Sequence, residues 1–391
     1  MQQPVSKQII AKHPECAQKK VTTLLVDGSN LLELCFSVNK KVNSNGREVG
    51  AIYQFLLMLR ILLKKGNFDR VYVFFDGPSS GQMRYDLNHE YKANREDKFF
   101  EESNVDEELS EYMKEFNKRV ENMQKWATGK KDGKSETEKE NFMWQKEVIE
   151  ECLENLFIMT VEVDKTEADD LIGYYCAHKA PNERIVIASN DRDLTQLISD
   201  DIIIYIQSFK DFVNRRNHTE KLGYYYENVV LKKVICGDTS DNIKGIKGVG
   251  EKTLFENFPQ FKERKVTLQE VIDGAKKVNA DRIANKKQPL KWALNIENAV
   301  TDGVQGDKIY EINQRIIDLH DPLMPQEAKD LMEEFIGAPI DPEGREMSNV
   351  YKILSENGVE DLLDPNAFSN FFVDYERLIK KEKDFFQNSQ N

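Results

Sequence analysis

The sequence predicts an α/β fold built on a parallel sheet covered on both faces. Short, almost unbroken apolar runs recur between residues 21 and 206, and segments of helical periodicity alternate with them. That alternation is the pattern of a parallel sheet with helices packed on each side. Three of the runs stop at or just before an aspartate, at Asp27, Asp76 and Asp191. In open parallel sheets, sites form beyond the carboxyl ends of the strands.

Taken in order, residues 1–20 are polar and mixed, and read as a lead-in without a signal-peptide core. Val21 to Val26 is the first buried strand, closing at Asp27-Gly28. Residues 47–64 have helical periodicity, with Ile52, Phe55, Leu56, Leu59 and Leu63 to one side. Val71 to Phe75 is a second strand, closing at Asp76-Gly77. A charged, helix-forming insertion follows over about 77–155, with a break at Thr128 to Gly133. Leu156 to Val161 is the third strand, 167–179 a helix, Arg184 to Ala188 the fourth strand, 192–199 a helix and Ile202 to Ile206 the fifth strand. Beyond residue 210 the chain turns mainly helical, and 262–308, rich in Lys, Asn and Glu, resists placement. The organisation expected is therefore a lead-in (1–20), a sheet domain (21–210) carrying the insertion, a helical unit (211–308) and a helical C-terminal region (309–391).

A length of 391 residues permits two or three domains. No apolar run is long enough to span a bilayer, and five scattered cysteines form no CxxC pair. A disulfide framework or zinc ribbon is therefore not expected, and a reducing cytoplasm fits. The net charge of −13 argues against a general nucleic-acid binder. Charge acts locally, however, and Lys and Arg concentrate in 84–98 and 232–252.

Carboxylates are the informative residues. Glu167-Ala-Asp169-Asp170 and Asp191-Arg-Asp193 form two tight groups, Asp27 and Asp76 stand at strand ends, and Asp241 lies in Gly237-Asp-Thr-Ser-Asp-Asn-Ile. Acids gathered this way repel one another unless a cation neutralises them. Hard oxygen ligands suit Mg²⁺ or Mn²⁺ rather than zinc. Each piece has a plainer explanation. Thr166 to Asp170 could be a capping box with Thr166 as N-cap, and the others ordinary turns. Their joint arrival at successive strand ends favours a site.

Two basic constellations accompany the acids. Gly237 to Thr253 holds Lys244, Gly245, Lys247, Gly248, Gly250, Lys252 and Thr253 between two helix-like segments, Glu227 to Cys236 and Glu251 to Phe258. Glycines there let backbone N–H groups approach a phosphate, and the lysines add charge without reading bases. On a continuous helix, Arg84, Tyr91 and Arg95 would fall within ~40° of one another and Lys92 about 80° from Arg84. That face could grip a phosphate and stack a base. A solvated charged helix explains the spacing equally. No Walker loop, zinc spacing or Ser-His-Asp order is present.

These motifs, in this order over roughly 20–255, resemble the 5′-nuclease (flap endonuclease) family. The runs Asp164-Lys-x-Glu-Ala168 and Asp193-Leu-Thr-Gln-Leu197 look most like its T-even phage ribonuclease H branch. The resemblance implies a Rossmann-like (PIN/flap-nuclease-like) sheet, a helical arch and a helix–three-turn–helix over 227–258 that holds duplex DNA. It implies metal-site acids at Asp27, Asp76, Glu167, Asp169, Asp170, Asp191, Asp193 and Asp241, with two Mg²⁺ that Mn²⁺ can replace. Arg84, Lys92 and Arg95 would face the scissile phosphate with Tyr91 beside them, and K⁺ would sit at hairpin carbonyls. The activity implied is a 5′→3′ exonuclease and flap endonuclease acting on flaps, nicks and RNA–DNA hybrids, with ribonuclease H activity, during replication and repair. A monomer in the cytoplasm, that of a host cell for a phage protein, would be expected, with no membrane role. A single-stranded DNA-binding protein is an expected partner. A sliding clamp is a weaker one, because Ala367 to Phe372 only loosely matches a clamp-binding peptide, and a packed aromatic helix edge explains it better. A catalytically silent DNA scaffold and a PIN-type ribonuclease are the alternatives. Intact acids oppose the first and the glycine hairpin opposes the second.

Overall fold

The computed structural model describes residues 21–92, 136–301 and 308–390. Its first half runs β1 (Val21–Asp27), α1 (Gly28–Val38), α2 (Gly50–Lys65), β2 (Arg70–Asp76), α3 (Gln82–Leu87), α4 (Glu136–Asn155), β3 (Met159–Val163), α5 (Ala168–His178), β4 (Glu183–Ala188), β5 (Ile202–Ile206) and β6 (Asp211–Val213). There follow α6 (His218–Leu222), α7 (Val229–Cys236), a small hairpin of β7 (Gly237–Asp238) and β8 (Ile243–Lys244), α8 (Glu251–Asn257), α9 (Leu268–Ala284) and α10 (Lys291–Glu297). The chain ends in α11 (Lys308–Ile317), α12 (Gln326–Phe335), α13 (Met347–Glu356) and α14 (Pro365–Ser389).

The central sheet has the order β3-β2-β1-β4-β5-β6, with β1 to β5 parallel and β6 antiparallel at the edge. Successive side chains of a strand point to opposite faces, which sorts the core. Leu24, Val26, Val71, Val73 and Phe75 pack with α1, α2, α4, α13 and α14 on one face. Leu25, Tyr72, Phe74, Val161, Ile185 and Ile187 pack with α5 and α12 on the other. A third cluster joins Tyr91 to α7, the hairpin and α8 to α11.

Register sets the site. Val26 lies opposite Val73 of β2 and Ala188 of β4, so β1 and β4 end together, and Asp76 closes β2 opposite Val163 of β3. Gly77 follows so close to β3 that a Cβ there would stand 1.7 Å from the Val163 carbonyl oxygen. Glycine at this position lets the insertion leave the sheet without displacing the strand.

Several expected elements move. The third strand begins at Met159, because Leu156, Phe157 and Ile158 are buried in the turn before it. Residues 193–197 form a 3₁₀ turn, not an α-helix. The tract 262–308 holds α9, opened by a reciprocal Thr267–Glu270 capping box, and α10 packed against it. Phe368, Phe371 and Phe372 of α14 are buried in the core, in line with a packed aromatic edge. No helix among the described residues is long and apolar enough to cross a membrane.

Candidate metal centre

Helix-start chemistry aims the acids. Asp27 caps α1, its Oδ1 accepting the Asn30 N–H at 3.0 Å while Oδ2 accepts the Ser189 hydroxyl at 2.7 Å. Asp76 Oδ1 accepts the Ala168 N–H at 2.9 Å, in the first turn of α5. Glu167, not Thr166, is the N-cap of α5. Asp191 Oδ1 accepts the Asp193 N–H at 2.8 Å at the start of the 3₁₀ turn. Free N–H groups at these helix starts also steady the negative charge gathered there.

Asp27, Asp76, Glu167, Asp169, Asp191, Asp193 and Asp241 line one cavity of about 370 Å³, with Glu33 and Glu162 also on its wall. Burial holds Asp27 up at about 7, with Asp76 and Asp191 adding repulsion against the pull of Asn30 and Ser189. Burial likewise lifts Asp169 well above the carboxylate range, reinforced by Asp191, Asp27, Glu167 and Asp193. Carboxylates crowded in this way are a poor arrangement for the protein alone and a good one for a hard divalent cation. Oxygens of Asp193, Asp238 and Asp241 lie within 4.8 Å of one another, a spacing fit for such an ion.

Asp170 stands apart from the cavity acids. It is fully buried, and both of its oxygens take the Arg84 guanidinium, at 2.6 and 2.7 Å. Arg84 is turned inward too, its Nε donating to the Ile316 carbonyl at 2.9 Å. These two residues form a buried ion pair, with Arg84 also on the cavity wall and Asp170 behind it, where the resemblance implies a phosphate contact and a cation ligand. Tyr91 is also buried, so its ring offers no face for a base, and its hydroxyl donates to Glu167 Oε2 at 2.9 Å. Lys92 Nζ donates to Glu167 Oε1 at 2.7 Å and stands 4.0 Å from Asp241.

Among the described residues, Arg84, Tyr91 and Lys92 do not share the single helical face predicted for them. Helix α3 ends at Leu87, and Lys92 takes a left-handed φ of 51°. Arg84, Tyr91 and Lys92 meet through Glu167 instead. Arg95 lies outside the described residues.

Sequence reasoning missed three contributors. Asp238 belongs to the Gly237 to Ile243 motif, and its spacing to Asp241 was the available signal. Lys233 of α7 bridges Asp193 and Asp238. Burial opposes ionisation of Asp238, yet Lys233 and Ser240 hold it down at about 2. Lys146 of α4 reaches the cavity wall, pairing with Glu150 at 3.0 Å and with Glu162.

On the adjoining unit, Lys244, Lys247 and Lys252 are exposed, and nothing occupies the space where a Cβ would stand on Gly248 or Gly250. Gly248 has φ 79°, which suits glycine. Gly245 serves packing, since a Cβ would lie 2.1 Å from the Cys236 carbonyl carbon. Thr253 is half-buried on α8. Carbonyls of Lys244 and Lys247 accept the side-chain amides of Asn313 and Asn295, at 2.9 and 2.8 Å.

Residues 22–223 match the 5′-3′ exonuclease, N-terminal resolvase-like domain. The chain is 26% identical over 266 residues to a 5′-3′ exonuclease of Mycoplasmopsis pulmonis (strain UAB CTIP), covering 68% of this chain and 74% of that protein. It is also 26% identical to DNA polymerase I of Bacillus subtilis (strain 168), covering 71% of this chain and only 28% of the polymerase. In fold it is similar to T5 5′-exonuclease with bound zinc, at TM-score 0.52 and 17% identity over 94% of this chain and 99% of that one. It is similar at TM-score 0.52 and 16% identity to a bacteriophage T5 flap endonuclease variant solved with DNA and metal ions, over 95% and 100% of the two chains.

Proposed function

Because the chain belongs to the 5′-3′ exonuclease family, we propose that it is a divalent-cation-dependent phosphodiesterase that trims 5′ ends and cuts 5′ flaps on DNA, including RNA primers. The observation that carries this reading is the convergence of seven of the predicted acids on one cavity at the carboxyl rim of the sheet. The all-oxygen donor set fits Mg²⁺, with Mn²⁺ as a substitute. Asp27, Asp76, Glu167 and Asp169 would hold one ion, and Asp191, Asp193, Asp238 and Asp241 the other. Bound there, the ions supply Lewis acidity to the phosphate and the attacking water. Glu167 is kept on the cavity by Tyr91, Lys92 and Arg84, and Arg84 is itself fixed by Asp170. The exposed Lys244, Lys247 and Lys252 would hold duplex phosphates, independent of sequence.

A panel of one nicked duplex, one 5′ flap and one RNA–DNA hybrid, each with Mg²⁺ and with EDTA, tests the reading. Mg²⁺-dependent release of 5′ products supports it; absence of cleavage on all three overturns it.

Lys92→Ala should slow the chemical step by on the order of 10²–10³-fold while leaving the Kd for flap DNA nearly unchanged. Single-turnover rates beside equilibrium binding check this, and a defect confined to binding contradicts it.

The metal-free protein should carry a pH signature. With Asp27 raised from 3.8 to about 7, the folded state binds more protons than the unfolded chain between those values. Stability therefore falls as pH rises through that window. In EDTA, Asp27→Asn should be as stable as wild type near pH 4 and more stable at pH 7.5, and Mg²⁺ should remove the advantage. Thermal unfolding of both proteins at both pH values decides it. An Asn variant no more stable at pH 7.5 refutes the electrostatic argument.

A further inference from the structure

We propose that the α9–α10 hairpin is a second, sequence-independent contact for duplex DNA, prolonging the grip of the Lys244–Lys252 segment along the helix axis. The proposal rests on the reading that this segment holds duplex. Residues 276–291 carry Lys276, Lys277, Arg282, Lys286, Lys287 and Lys291 against the single acid Asp281, a local balance of +5 in a chain of −13. The five lysines are exposed.

This basic end is rigidly joined to the hairpin beside it. Val271 and Ala275 of α9 and Ala293 and Ile296 of α10 share one core with Ile235, Ile246 and Val249. The Lys247 N–H donates to the Val300 carbonyl at 2.8 Å, and Asn295 donates back to the Lys247 carbonyl at 2.8 Å. Buried Asn279 pins the start of α10, its Oδ1 accepting the Leu290 N–H at 2.8 Å. Lys291 opens α10, and Asn295 lies one turn on. At ~1.5 Å per residue Lys291 lies about 6 Å along α10 from Asn295, whose amide touches the Lys247 carbonyl. That rise is about two base-pair steps of duplex. Fixed positive charge at that range, in an otherwise acidic chain, suits the regular phosphates of a duplex leaving the hairpin.

The test is anisotropy of the full chain with flap DNA in Ca²⁺, from ~50 to ~200 mM salt, using a short duplex that ends at the hairpin and a longer one. Quadruple variants Lys276→Gln/Lys277→Gln/Lys286→Gln/Lys287→Gln and the corresponding Lys→Arg set are compared with wild type, and thermal unfolding confirms folding. Wild type should bind the long duplex more tightly than the short. The Gln set should lose that gain, about tenfold, and its slope of log affinity against log salt should be shallower by ~0.9 for each phosphate no longer neutralised. The Arg set should behave as wild type. Equal affinity and slope for the Gln set and wild type on both duplexes overturn the proposal, as does equal weakening by the Arg set. Lys247→Gln/Lys252→Gln separates the premise: loss of binding to both duplexes upholds the hairpin reading, whereas unaltered binding to both removes the foundation as well.

Discussion

Replacing Asp191 with Asn should abolish cleavage of a 5′-labelled flap, by on the order of 10³-fold or more, while duplex binding changes little. Asp191 sits on the cavity wall between Asp27 and Asp193, and its Oδ1 already accepts the Asp193 N–H. The amide keeps the size and the ability to accept that hydrogen bond, so the loop from β4 should hold its shape. What is lost is one negative charge and one anionic oxygen from the set proposed to hold a cation. The substitution leaves the exposed lysines of the β8–α8 segment unchanged. Near-wild-type cleavage by Asp191→Asn, in saturating Mg²⁺ and at limiting Mg²⁺ alike, would remove Asp191 from the site. Loss of binding in parallel with loss of cleavage would show that the residue serves the fold.

Arg84→Ala should cost about 3–5 kcal/mol of stability, the largest effect expected of any side chain at the site. Arg84 and Asp170 are both nearly inaccessible, at 4% and 0% exposure, and the fork between them is bidentate. Removing the guanidinium strands a buried carboxylate and also leaves the Ile316 carbonyl without its donor. The pair joins the start of α5 to the end of α11, so the loss should be felt in both the sheet and the helical unit. Arg84→Met combined with Asp170→Leu removes both charges together. It should recover a large part of the loss, because a buried ion pair replaced by apolar side chains of similar volume is often neutral. Denaturant unfolding of the single and double variants measures this. A single variant within ~1 kcal/mol of wild type contradicts the account.

How far the sequence reveals this molecule depends on whether a segment's own pattern decides its structure. Val21 to Val26 and Val71 to Phe75 were legible because β-branched and aromatic runs ended at Asp-Gly, and the strands fall there. The start of β3 was not, because Leu156 to Ile158 are equally apolar yet buried in a turn. Edge strand β6, three residues of mixed polarity, carries too little pattern to notice. The acids were legible as a set, since all but Asp241 follow a strand or stand at a helix start, and Asp241 lies in the Gly237 to Ile243 motif. Which of them face the cavity was not, because Asp169 and Asp170 are adjacent and only the position of Arg84 separates them. Arg84, Tyr91 and Lys92 were read on one continuous helix, but α3 stops at Leu87 and tertiary contacts to Glu167 gather Tyr91 and Lys92. In 262–308 the signals were present and unread: Thr267-x-x-Glu270, then Leu268, Val271, Ile272 and Ala275 at helical spacing.

Anomalous diffraction from crystals of the protein soaked in Mn²⁺ tests the central claim most directly. Manganese signal inside the cavity ringed by Asp27, Asp76, Glu167, Asp169, Asp191, Asp193 and Asp241 is the result expected, lost on the Asp193 and Asp241 side when both are changed to Asn. Manganese found only on the outer surface, with those carboxylates untouched, would contradict it.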